Sequence, residues 1–176
     1  MSAVAPDAAL LALELVRAFN FRVTLRNSLA PTTTFVDGAA AVGGFQECTG
    51  LEIELDIQEL QEGGRNDGVI RRIGRAKYQP IVLKRGMFSP TRGGPADTQL
   101  WAWLQRLASR TEIVRYDGVV EVLDVPAAAQ RTVARWSFQR GLPLKLVGPQ
   151  LNARTGEIAI EELHIAHEGL VLEKLP

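Results

Sequence analysis

The chain has one cysteine, Cys48, and two histidines, His164 and His167. A single cysteine excludes an intramolecular disulfide framework and suits a reducing compartment. No nucleophile motif surrounds Cys48, so it reads as a small, semi-buried residue. No P-loop, G-x-S-x-G or H-E-x-x-H is present, which removes the common signatures of nucleotide, serine-hydrolase and zinc chemistry. "GGRNDG" (63–68) has the look of a glycine-aspartate calcium turn. It lacks the third glycine and any repeat, and reads as a flexible loop. Neither charge sign dominates: 20 basic residues face 20 acidic ones, which argues against a dedicated nucleic-acid binder. No stretch is apolar and long enough to span a membrane. The N-terminal "PDAALLALELVRAF" lacks a basic start and carries Asp7, Glu14 and Arg17, so it is not read as a signal peptide.

What the chain does have is alternation. In "LEIELDIQEL" (51–60), Leu51, Ile53, Leu55 and Ile57 alternate with Glu52, Glu54, Asp56 and Gln58. At helical spacing these apolar residues would scatter around the axis, whereas in a strand they share one face. The glutamates favour a helix by only a few tenths of a kcal/mol, less than burial of the apolar face contributes. The stretch is therefore expected to be a strand, continuous with "FQECTG" and bent at Gly50. Leu51, Ile53, Leu55 and Ile57 would turn inward and the acids outward.

The same period marks "FNFRVTLR", "YQPIVLKRG", "GVVEVLDV", "RTVARWSFQRG" and "LPLKLVG" as strands. "GEIAIEELHIAHEGLVLEKL" closes the chain. Its apolar parity switches at Glu161-Glu162, from even (Ile158, Ile160) to odd (Leu163, Ile165), which suggests a β-bulge there. "EGGRNDGVIRRIGRAK" reads as a basic, glycine-rich loop, and 27–44 as a long excursion or hairpin tip.

"TQLWAWLQRLAS" is the one clear internal helix. Asp97 or Thr98 can cap it, and Leu100, Trp103, Leu104 and Leu107 form its buried stripe. Residues 6–18 form a short N-terminal helix, with Pro6 and Asp7 in its first turn. Roughly seven strands without βαβ alternation indicate a mainly β protein, an antiparallel sandwich or barrel with one flanking α-helix and a short N-terminal helix. Residues 1–176 form one domain, 1–18 an extension and 19–173 the β core.

Candidate chemistry is sparse. His164 and His167, three apart, fall on opposite faces of a strand and would meet at a metal only through the bulge, with Glu161 or Glu168. Trp101, Trp103 and Trp136 sit at core-packing spacings rather than forming a ligand platform. No catalytic residue, cofactor or metal site is assigned.

Charge is more informative. Six acids and no base lie between Glu47 and Glu62; eight bases and one acid lie between Gly63 and Arg92. This segregation fits either a solvated hairpin with cross-strand ion pairs or two complementary surfaces on one molecule, as head-to-tail self-association requires.

Six segments in order, "FNFRVTL", "GFQECTGLEIELDIQELQEGGRND", "YQPIVLKRG", "LWAWLQRL", "VARWSFQRGLPLKLVGPQLNA" and "IAIEELHIAHEGLVLE", resemble the tail tube proteins of contractile phage tails and phage-tail-like injection particles. The likeness covers about residues 19 to 173. No single piece is specific; the ordered set is. The resemblance implies a structural protein rather than an enzyme. Its small β domains form rings of six in which neighbouring strands complete one inner barrel, and the rings stack into a hollow tube. A contracting sheath drives that tube through a target envelope, and the type VI secretion tube protein shares the fold.

Implied partners are further copies of the chain, a sheath protein, baseplate or tube-initiator and tube-terminator proteins, and protein or DNA cargo in the lumen, without membrane insertion. Assembly in the cytoplasm into a virion or extracellular particle is implied too. By position, Gly63, Gly64, Arg65, Asn66, Arg71, Arg72 and Arg75 would reach neighbouring subunits, while Glu52, Glu54 and Asp56 would face the lumen. The segment 6–18 and the long 27–44 hairpin depart from the pattern. They leave open a tube-initiating or baseplate-adaptor paralogue. The residues alone also leave open a monomeric ligand-binding barrel built around the tryptophans, or an enzyme using His164, His167 and Glu168.

Overall fold

Alternating burial organises the chain. The computed structural model describes residues 16, 19–29, 34–36, 44–60, 68–89, 92–124, 131–154 and 156–175. The expected N-terminal helix (6–18) and residues Gly63 to Asn66 fall almost wholly outside these segments. The described elements are β1 (Phe21–Asn27), β2 (Thr34–Val36), β3 (Phe45–Thr49), β4 (Ile53–Leu60), β5 (Ile70–Tyr78), β6 (Ile81–Gly86), α1 (Gln99–Ala108), β7 (Tyr116–Leu123), β8 (Thr132–Val147), β9 (Ile160–Ala166) and β10 (Gly169–Leu172). The mainly antiparallel β architecture with one internal helix is as expected.

Strands pair in the order β2-β1-β7-β8-β9-β6-β3, with β10 also on β8, and β4 pairs with β5 apart from them. Both "RTVARWSFQRG" and "LPLKLVG" belong to the single long strand β8, not to two. Its first part pairs with β7 and its last part, from Leu142, with β9. β8 thus serves both halves of the sandwich and turns the corner between them. The turn falls at Arg140, whose φ is 54°; Asp117 Oδ1 accepts its N–H at 2.8 Å. Gly118 is required just below it: a Cβ there would lie 2.0 Å from the ring of its cross-strand partner Phe138.

The core lies between the two halves. Val23, Leu25, Ile81, Leu83, Val120, Phe138, Leu163 and Ile165 fill it, and α1 closes one end with Leu100 and Trp103. The Trp103 indole N–H donates to Val114 O (3.0 Å), and its ring meets Tyr116 edge-on. Asp97 rather than Thr98 caps the helix: its Oδ1 accepts the Gln99 N–H at 2.9 Å, and Thr98 makes no side-chain cap bond.

The expected bulge at Glu161-Glu162 is absent. β9 pairs with β6 in unbroken register from Ile165↔Ile81 to Ile160↔Gly86. The parity switch has another cause: Glu161 occupies an inward position, and Ile158 and Ile160 face outward. Glu161 and its direct cross-strand partner Arg85 are each 1% exposed. Arg85 Nε donates to Glu161 Oε1 at 2.5 Å, Nη1 lies 3.3 Å from Asp97 Oδ2, and the guanidinium sits over Phe88. One cation thus joins β6, β9 and the helix cap.

A buried charge left without its partner is costly, whereas an apolar replacement of both partners is often neutral. Arg85→Met should therefore destabilise the domain by about 3–5 kcal/mol in urea unfolding, and Arg85→Met/Glu161→Leu should recover most of that loss. Equal losses in the single and double variants would mean that packing, not the charge pair, holds this site.

Candidate assembly surface

The acidic strand of the sequence is broken once. Gly50 has a φ of 84°, and a Cβ on it would lie 2.1 Å from Pro80 O, so β3 ends there and β4 begins at Ile53. Register survives the break: Thr49↔Val82 in β3–β6 and Ile53↔Tyr78 in β4–β5 have the same residue sum, 131. Residues 45–60 and 70–86 thus form one kinked hairpin. Its root is part of the main sheet; its outer half, β4–β5, pairs only with itself among the described residues.

The expected basic loop is therefore half strand. Arg71, Arg72 and Arg75 lie on β5, because Ile70, Ile73 and Tyr78 find cross-strand partners in Leu60, Ile57 and Ile53. Between Leu55↔Ala76 and Ile57↔Ile73, Asp56 opposes both Gly74 and Arg75. This is a β-bulge, which adds twist to the hairpin. A Cβ on Gly74 would come within 3.0 Å of Asp56.

The two faces differ in character. One carries Ile53, Leu55, Ile57, Ile73, Ala76 and Tyr78 and ends in the ion pair Arg71–Glu59 (3.2 Å). The other carries Glu54, Lys77, Asp56, Gln58 and Arg72, with Lys77 Nζ 2.6 Å from Asp56 Oδ1, and ends in the apolar pair Leu60–Ile70. Its hydrogen bond to Asp56 holds the Lys77 ammonium above its ordinary pKa. Of the two readings of charge segregation, the cross-strand ion-paired hairpin is present.

The expectation that Ile53, Leu55 and Ile57 face this chain's core is overturned. They are 52%, 52% and 64% exposed, and Ile73 is 79% exposed. Only Leu51 and Tyr78, at the root, pack against the core cluster. Beyond these two the apolar face is exposed. Glu52 and Glu54 are exposed and Asp56 is half-buried.

Four strand edges are also open among the described residues: β3 pairs only with β6, residues 142–147 of β8 only with β9, β2 only with β1 and β10 only with β8. The outer face of this β3-β6-β9-β8 sheet is charge-paired. Lys84 Nζ lies 2.9 Å from Glu47 and 3.8 Å from Glu162, and His164 Nε2 lies 2.6 Å from Glu162. The Glu47 hydrogen bond raises the Lys84 pKa.

The residues considered for chemistry are dispersed. His164 bonds Glu162, while the His167 ring nitrogens face Gly169 O (3.0 Å) and Gln79 O (3.1 Å) between the rings of Tyr78 and Phe138. Glu168 is paired with Arg115 and Arg140. Among the described residues no three potential metal ligands cluster. A cleft of about 400 Å³ is lined by Arg131, Thr132, Val133, Arg135 and Leu175, and by none of the tryptophans. Trp101 lies against Gly148 instead. Sequence reasoning missed the Arg85–Glu161–Asp97 cluster, whose signal was an acid standing where the alternation called for an apolar residue.

A family model described as T4-like virus tail tube protein gp19 matches residues 17–171. No curated protein matches the chain in sequence. Among solved structures, the chain is similar to one in the sheath-tube complex of the PVC extracellular contractile injection system in the extended state. There the TM-score is 0.72 and the identity 17%, covering 97% of this chain and 100% of that one. It is similar to a chain of the anti-feeding prophage tube-terminating cap at TM-score 0.72 and 20% identity, covering 99% and 100%. An Hcp protein follows at TM-score 0.54 and 10% identity, covering 87% and 91%.

Two outcomes test this geometry. Leu55→Ser and Ile57→Ser should each change the unfolding free energy of the dilute subunit by less than about 0.5 kcal/mol, as exposed positions do, whereas Leu83→Ala should cost about 2–5 kcal/mol. Burial pushes the Cys48 thiol from 9.0 up to about 11. At pH 8 its thiolate fraction is then on the order of a hundredfold lower, so maleimide labelling in the folded protein should be slower by that factor than after unfolding.

Proposed function

The chain belongs to the family of the T4-like virus tail tube protein gp19, and on that premise we propose that it is the repeating subunit of a contractile tail or injection tube. Six copies form a ring in which β3 of one copy pairs with residues 142–147 of the next, closing the open edges into one inner barrel. A closed ring removes the edge hazard that an isolated subunit carries. Rings stack into a hollow rigid tube, surrounded by a sheath and bounded by initiator and terminator proteins. The structural neighbours in sheath-tube and cap assemblies support this choice of partners. Assembly takes place in the cytoplasm, and the finished particle acts outside it.

The observation that carries this reading is the unfinished core. Fully burying an Ile or Leu side chain contributes roughly 1.5–3 kcal/mol. A two-stranded ribbon is marginal alone and needs a third element against its apolar face. A second copy of the chain supplies it. Gly63, Gly64, Arg65 and Asn66, which the sequence places between β4 and β5, Arg71 on the apolar face, and Arg72 and Arg75 beside it take part in contacts between subunits.

The polar face, with Glu54 and Asp56 and the adjoining Glu52, looks away from that contact and toward the lumen. Its paired charges present a wetted, non-adhesive wall to protein or DNA cargo. A second reading, the tube-initiating or capping paralogue, is favoured by one observation: the cap chain matches at the same TM-score as the tube chain. Stack length separates the two.

Electron microscopy across a concentration series is the test. Hollow stacks of many rings are expected from the wild type, single rings from a capping paralogue, and monomers at every concentration would overturn both. Charge reversal at Arg71 and Arg72 should leave the dilute subunit's thermal unfolding unchanged and abolish stacking; normal tubes from that variant would remove these residues from the contact.

A further inference from the structure

Two short connections join the β4–β5 hairpin to the main sheet. One is residues 50–52, with the kink at Gly50. The other is Gln79–Pro80, which belongs to neither β5 nor β6. A side chain from outside the hairpin reaches the second. His167, between β9 and β10, places Nε2 3.1 Å from Gln79 O and Nδ1 3.0 Å from Gly169 O. Its ring lies between Tyr78, the last residue of β5, and the buried Phe138 of β8, with centroids 5.5 Å away in each case. One half-buried imidazole thus joins the hairpin root, the β9–β10 turn and the core.

The number of protons on this ring decides what it can hold. Both partners are carbonyl oxygens, which accept and never donate. A neutral imidazole has one N–H and one lone pair, so in either tautomer one carbonyl faces a lone pair. The imidazolium has two N–H groups and satisfies both. The titratable groups on the surrounding elements are engaged elsewhere. Glu168 pairs with Arg115 and Arg140, Lys77 with Asp56, and His164 with Glu162. Tyr78 meets the imidazole through its ring. Among the described residues the two carbonyls are the hydrogen-bond partners of His167, and no carboxylate competes for its protons.

We infer that His167 is a protonation-dependent clamp on the root of the hairpin. The imidazolium ties Gln79 to Gly169, and loss of one proton releases one of the two carbonyls. Because the clamped state holds the extra proton, the clamp is fully made at low pH and is lost as pH rises through the titration of the ring. It lies within one subunit and needs no second copy, so it stands apart from the tube reading. If the chain does build a tube, its assembling hairpin is less firmly rooted at high pH.

Urea unfolding of the dilute wild type and of His167→Gln, at about pH 5.5 and about pH 8.5, tests the clamp. Glutamine carries no proton that titrates here, and any contribution of His164 is common to both proteins. The ratio of the two folding equilibrium constants should favour the wild type at the lower pH and fall by about tenfold at the higher one, the worth of one hydrogen bond. An equal ratio at the two pH values would mean a purely structural ring and overturn the inference. Should His167→Gln fail to fold, NMR of the wild type decides. One of the Gln79 and Gly169 carbonyl carbon signals should then move together with the ring nitrogens of His167 as pH rises. Carbonyl signals that stay fixed while the ring titrates would overturn the clamp, as would a ring that keeps one protonation state throughout the range.

Discussion

An apolar strand face must be covered, and in this protein one such face runs on beyond the material its own chain provides. The β3–β6 pairing keeps its register through the kink at Gly50 and becomes β4–β5. Inside the domain that pairing sets Leu83 directly opposite Cys48 on the inner face; past the kink the apolar set switches parity to Ile53, Leu55 and Ile57, which are exposed. The hydrophobic effect does not distinguish a chain's own core from a neighbour's. The open edges of β3 and of the last part of β8 add the same demand in hydrogen bonds. In the tube proposed above, copies of one chain meet both requirements, which is the physical sense in which such a subunit would be incomplete alone.

Electrostatics complements this rather than driving it. The acidic and basic segments, separated in sequence, are brought opposite each other by the hairpin, and Asp56–Lys77 and Glu59–Arg71 pair at its surface. Exposed pairs of this kind contribute little stability. Their places differ: Asp56–Lys77 keeps one face wetted, and Glu59–Arg71 ends the apolar stretch of the other, so the ribbon has a defined side. The buried Arg85–Glu161 pair acts differently. Set at directly opposed positions of β6 and β9 and joined to Asp97, it penalises any slipped register that would separate the charges.

Much of this was legible in the sequence because period two is a strong signal wherever one face is buried. β1, β6, β7 and β8, the α1 stripe and the strand character of 53–60 all follow from it. Three features were not legible, each for a physical reason. Residues 70–78 look like a basic loop because neither face of an ion-paired ribbon is uniformly apolar. The Glu161 position looks like a bulge because a buried salt bridge inverts the apolar pattern as a parity slip would. The direction of Ile53, Leu55 and Ile57 was misjudged because alternation reports that a face is covered, not which chain covers it. Gly63 to Asn66 lie outside the described residues, and the part in assembly proposed for them rests on their position in the sequence between β4 and β5.

Amide hydrogen exchange of dilute against assembled protein, read over 53–60 and 70–78, tests the central claim most directly. If the hairpin completes its core on another copy, these amides exchange quickly in the dilute subunit and become strongly protected on assembly, while those of α1 change little. Equal exchange in the two states would mean that the ribbon stays open to solvent, and the unfinished core would not be what builds the tube.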